Sequence, residues 1–171
     1  MSPPPLRIDA HQHFWRYDPG EFGWIDDSMA TLRRDFLPQD IAPLLMRSGF
    51  DGSVAVQARQ SLAETEFLLD LAEAHAFIVG VVGWVDFESD GVADTIDAIA
   101  ADPKLVGLRP MIQDIPDTEW MLEEKLAPAF EAMIDHGLVF DALVLPSHLP
   151  ALIELCARYP DPIKMQYCKI F

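Results

Sequence analysis

Short apolar runs alternate with amphipathic stretches along this chain, and that alternation narrows the possible folds more than any single residue does. Leu6 to Phe14, Ser53 to Ala58, Phe77 to Val85, Leu105 to Ile112 and Leu138 to Leu145 read as strands. Between them lie stretches with helical spacing: 38–47, 61–74, 91–101, 119–136 and 147–158. Pro38 suits a first helical turn, and Ser48-Gly49 and Gly137 supply stops. Ser61 with Glu64 predicts a capping box, and Pro128 predicts an interruption in the fourth helix. After the first long loop, strands recur roughly every 25 to 33 residues, the pace of a βα repeat around a parallel sheet.

A complete eight-unit (β/α)8 barrel takes about 250 residues. Here the 171 residues hold five units and a last run, Ile163 to Phe171, that starts a sixth. The expected fold class is therefore α/β: an incomplete (β/α)8 TIM-type barrel, or a smaller open sheet. No linker interrupts the pattern, so 1–171 reads as one domain with a short disordered lead-in, 1–5, rich in proline.

Charge and cysteine usage exclude some functions. A formal charge of −16 argues against nucleic acid and anionic membrane surfaces as partners. Two cysteines, Cys156 and Cys168, suit a reducing compartment, and no apolar run reaches the ~20 residues of a membrane span. A cytoplasmic protein is expected.

The sharpest chemical signal is Ile8-Asp9-Ala10-His11-Gln12-His13-Phe14-Trp15, at the end of the first strand. Alternate strand residues share a face, so Asp9, His11 and His13 point the same way. Two such imidazoles at the carboxyl end of a barrel strand can orient a carbonyl or hold one divalent metal.

This motif resembles the opening of the sugar-lactonase branch of the amidohydrolase-related family, the group of L-fuconolactonases and L-rhamnonolactonases. The resemblance continues through Val56-Gln57-Ala58, Glu64-Thr65-Glu66-Phe67-Leu68-Leu69, Gly83-Trp84-Val85-Asp86 and Val106-Gly107-Leu108-Arg109. It runs on through Phe140-Asp141, His148-Leu149-Pro150 and Arg158-Tyr159-Pro160-Asp161. It implies a lactone-opening hydrolase acting on a small sugar lactone, with His11 and His13 working directly or through one divalent metal, Zn2+ or Mn2+.

Strand geometry places further candidates around the same mouth. Gln57 and Arg59 share a face of the second strand, Asp86 ends the third, Arg109 lies in the fourth and Asp141 in the fifth. Arg109 reads as a clamp for an oxyanion or substrate substituent, or as a structural partner of Asp86 or Asp141. Asp86 and Asp141 read as acceptors for sugar hydroxyls or as neutralisers of arginine, and Gln57 and Arg59 as polar contacts. Trp15, Trp24 and Trp84 offer flat walls or loop packing. His75 and His136 fit helix C-termini, His148 a rim loop, and Cys156 the core.

The family pattern departs after Asp161. Tyr167 stands about where the family has a strand-6 histidine, and the family's strand-8 aspartate, the expected general base, would fall beyond Phe171. The abrupt change reads as a frameshift or premature stop, with divergence as the alternative. The expectation is thus a lactonase-type hydrolase, with its activity in this chain left open by the truncation; alternatives are a non-catalytic fragment or a partial barrel completed by a partner chain. Unpaired sheet edges would also promote self-association.

Overall fold

The structure, a computed structural model, describes residues 5–159 and 165–167. Its strands are β1 (Ile8–Gln12), β2 (Gly52–Val56), β3 (Ile78–Gly83), β4 (Leu105–Leu108), β5 (Val139–Ala142) and β6 (Met165–Tyr167). Between them run α1 (Pro38–Arg47), α2 (Leu62–Ala74), α3 (Val92–Ile99), α4 (Ala127–Asp135) and α5 (Leu149–Arg158). All adjacent strands pair in parallel, and their order in the sheet is their order in sequence, β1 to β6. This is the winding of a (β/α)8 barrel, present here as a curled part of one. The smaller open sheet is set aside by that order, because doubly wound sheets reverse direction at a switch point.

The strands are shorter than their apolar runs. β4 stops at Leu108 and β5 at Ala142, and the apolar residues beyond, such as Ile112, Leu143 and Val144, are buried in the loops that follow. The main core joins Val81, Leu108 and Phe140 of the sheet to Leu68, Ile96, Phe130 and Leu155 of the helices. Phe130 meets Phe140 edge-to-face, with ring centroids 5.2 Å apart.

Helix boundaries follow local chemistry. Gly49 and Gly137 take positive φ, +72° and +65°, immediately past α1 and α4, where an L side chain would be strained. Pro128 does not interrupt a long helix as expected. It sits in the first turn of α4, where its missing N–H costs nothing, and two short 3-10 turns precede it. The capping box at Ser61 does not form either: Ser61 makes no side-chain cap, and the Glu64 carboxylate turns to Ala58 and Arg59 instead.

Residues 1–4 of the expected lead-in and the run around Asp161 lie outside the described residues, as does the side chain of Tyr167. Among the described residues, no helix is long and apolar enough to cross a membrane.

Candidate active site

β1 delivers the histidine pair to the carboxyl end of the sheet. His11 Nε2 lies 3.0 Å from His13 Nε2, with the rings edge-on at 83°. His13 Nδ1 is 2.9 Å from the carbonyl of Val56. A carbonyl only accepts, so Nδ1 carries the proton and a neutral His13 offers a lone pair at Nε2. His11 Nε2 is then the donor of the pair. In this tautomer the neutral pair has one N–H between its two Nε2 atoms.

Arg109 approaches from β4. Its backbone N–H donates to Gly83 at 2.8 Å, carrying the β3–β4 pairing one residue past the strand. Gln57 continues β2 in the same way, donating to Val82 at 2.9 Å. The Arg109 guanidinium donates to the Gln57 carbonyl and reaches its side-chain Oε1 at 3.5 Å, while Gln57 Nε2 returns a bond to the Arg109 carbonyl at 2.9 Å. Both residues are buried.

A cavity of about 1220 Å³ opens at this face, lined by His11, His13, Trp15, Trp24, Arg59 and Arg109 among others. Arg59 lines it with its guanidinium held by Glu64 and Glu21. Trp15 presents its ring there while its indole N–H donates to the Arg34 carbonyl at 2.9 Å.

The remaining candidates lie elsewhere. Gln57 is behind the wall, clasped to Arg109. Asp86 is outside the cup: it is exposed, accepts from Glu88 N–H, and lines a separate 260 Å³ cavity with Trp84 and Trp120. The chain turns away after Gly83, which carries Asp86 past the mouth. Asp141 is buried in β5; burial raises its carboxyl to about pH 6, and the Arg109 charge offsets part of that. His148 is not a rim residue: it is buried, and its Nδ1 accepts from Leu145 N–H at 3.0 Å.

Sequence reasoning missed Glu21, Met111, Gln113, Asp114 and Leu143, all of which line the cavity. Most sit in irregular segments just after strands, and that position at the carboxyl face was the available signal.

The family model described as Amidohydrolase matches residues 8–166. The chain belongs to the amidohydrolase family. Two curated L-fucono-1,5-lactonases are similar to it: that of Burkholderia ambifaria is 47% identical over 155 residues, covering 91% of this chain and 53% of that protein. That of Burkholderia multivorans is 39% identical, covering 90% and 52%. A crystal structure of an amidohydrolase from Burkholderia multivorans with bound zinc superposes with a TM-score of 0.83 at 38% identity, covering 91% of this chain and 55% of that one. The chain thus spans about half the length of the curated relatives it matches.

The histidine pair of this amidohydrolase fits part of a metal site. Nitrogens bound to one zinc at about 2.0–2.1 Å lie within about 4.2 Å of each other; these two are 3.0 Å apart, and the Val56 bond leaves His13 Nε2 unprotonated. Among the described residues, no group of three or more His, Cys, Asp or Glu side chains is placed to hold an ion.

Proposed function

We propose that the cavity receives a sugar-acid lactone of the L-fucono-1,5-lactone type, and that His11, His13 and Arg109 act on its ring ester during hydrolysis. The observation that carries this reading is the pair of Nε2 atoms, 3.0 Å apart, on the same cavity as a buried arginine. The similar lactonases support the substrate class.

In the reaction, water adds to the acyl carbon, the ring C–O bond breaks, and the leaving alkoxide takes a proton to give the open hydroxy acid. Arg109, fixed by Gln57, offers N–H groups to the oxyanion that develops on the carbonyl oxygen. Neutral His13 accepts a proton at Nε2 from the attacking water, and the imidazolium so formed keeps its Nδ1–H on Val56. Where a divalent cation, Zn2+ or Mn2+, is held by His11 and His13, it would supply Lewis-acid activation, and the His13 Nε2 lone pair would then serve as ligand in place of base. Trp15 and Trp24 give the sugar ring apolar faces.

A second reading, binding without turnover, is favoured by one observation. Among the described residues, the carboxylates lining the cavity are Glu21, engaged by Arg59, and Asp114, on the turn after β4, and neither is placed with the histidines as a third donor. Calorimetric titration with L-fuconate, with and without Zn2+, combined with a pH-indicator assay of L-fucono-1,5-lactone, separates the readings. Binding plus ring opening that is lost in His13→Ala supports hydrolysis. Binding alone supports the second reading, and neither binding nor opening overturns both.

A further inference from the structure

We infer that Arg59 is a positioning residue, a fork that fastens the long loop after β1 to the barrel and so holds the front wall of the cavity. The inference rests on the proposed lactone site only for what the wall encloses.

The loop is a packed unit of its own. Trp15 and Phe36 close it through a reciprocal backbone pair at 2.9 and 3.0 Å. Inside, Trp15, Phe22 and Ile25 form a buried cluster separate from the main core, with Tyr17, Met29, Leu32 and Phe36 packed on it. Arg33 ties the far side by donating to the Ile25 carbonyl and pairing with Asp27 at 2.8 Å. Such a unit can move as a body about its closed ends unless something pins it.

Besides a long pairing of Arg34 with Asp40 of α1 at 3.9 Å, pins come from the tip of β2. Ala58 packs against the loop cluster. Arg59 reaches in two directions: its Nε donates to Glu64 at 2.9 Å, and its Nη1 pairs with Glu21 on the loop. Its guanidinium also lies over the Phe22 ring, 5.3 Å from the centroid. Glu64 is 1% exposed and accepts a further bond from Ala58 N–H at 2.8 Å, so the barrel end of the fork is fixed. Glu21 is 55% exposed and is the end that can let go. Gly20, Glu21 and Trp24, all on the loop, line the cavity beside His11 and His13.

Two carboxylates on one guanidinium more than offset its charge and commit it geometrically. Arg59 therefore acts on a ligand through the wall it holds rather than by binding the ligand's charge. A lysine at this position would keep the charge beside Glu64 but could not span both carboxylates.

The test uses the whole chain with Glu21→Gln and Arg59→Lys, each of which leaves Glu64 with a cation. Trypsin cleavage after Arg33 and Arg34, inside the loop, is timed alongside thermal unfolding and L-fuconate titration. Both variants are expected to be cleaved about fivefold faster than the natural chain and to bind L-fuconate about fivefold more weakly, with unchanged unfolding midpoints. Cleavage at the natural rate in Glu21→Gln overturns the inference, as does faster cleavage accompanied by an equal fall in global stability. A natural chain that fails to bind L-fuconate, while Glu21→Gln still frees the loop, defeats the lactone reading and leaves the fastening intact.

Discussion

Gln57 and Arg109 clasp each other over the tip of the strand between them: each donates to the other's backbone carbonyl, although β3 separates β2 from β4 in the sheet. Second-neighbour strands meet this way only where a sheet curls and both side chains turn to its concave side. The clasp fixes the arginine of the candidate site through backbone carbonyls. Gln57→Leu keeps the backbone acceptor for Arg109 but removes the Nε2 donor to the buried Arg109 carbonyl, and should cost about 1–3 kcal/mol in urea unfolding. With Arg109→Met, a double-mutant cycle should show a coupling of about 0.5 kcal/mol, because each side chain bonds the other's backbone and the two share the 3.5 Å Nη2–Oε1 contact. Strict additivity would mean the two residues stabilise the chain independently.

Thr65 makes a comparable stitch between α2 and β3. Its hydroxyl accepts from Trp84 N–H at 2.7 Å and donates to the Trp84 carbonyl at 2.8 Å, and it can do so because Gly83 has no side chain. A Cβ at Gly83 would lie 2.5 Å from Thr65 Cγ2. Gly83→Ala should destabilise the chain by about 1–3 kcal/mol through overpacking. Thr65→Ala loses both bonds but removes the obstacle, so the double variant should be more stable than the sum of the two losses implies. Chemical unfolding of the three variants decides this.

The legibility of this chain divides along physical lines. The βα rhythm was readable because burial imposes a period on each element, and the helix stops at Gly49 and Gly137 were readable because left-handed backbone favours glycine. The histidine pair stood out because a strand end fixes both direction and spacing. Asp86 was misplaced because strand alternation was carried past Gly83, where the strand had ended. Glu64 was misread as a cap because a local helix rule was applied to a carboxylate that Arg59 claims from outside the helix. Glu21 was invisible because its partner is distant in sequence and the loop's fold is not periodic.

Asp141 makes a pH-dependent contribution whose sign can be worked out. Burial raises its folded value from 3.8 to about 6, so between those pH values the folded chain binds more protons than the unfolded one. Stability from this group is therefore present at about pH 4 and lost as pH rises through 6, on the order of 3 kcal/mol in all. Asp141→Asn cannot ionise and should lose that slope. Urea midpoints for the two proteins from pH 4.5 to 7.5 are expected to diverge in favour of the variant as pH rises. Parallel profiles would show that the carboxyl is already ionised, or solvated, across the range.

The bond from His13 Nδ1 to the Val56 carbonyl makes a prediction about zinc that needs no turnover. Because the acceptor is backbone, the tautomer is set by the fold of β2 itself, and the Nε2 lone pair is ready beside His11 Nε2 at 3.0 Å. One zinc per chain should therefore bind, and His11→Ala or His13→Ala should each weaken it more than about tenfold, since either leaves one imidazole donor. His13→Gln distinguishes the donor from its neighbourhood: it keeps bulk and polarity but offers no imidazole nitrogen, so it should bind no better than His13→Ala. Competition against a chromophoric chelator reads all four proteins under the same conditions, with circular dichroism confirming that each is folded. Equal zinc affinity in the natural chain and both alanine variants would remove the pair as a metal site and leave His13 its proton-accepting role alone.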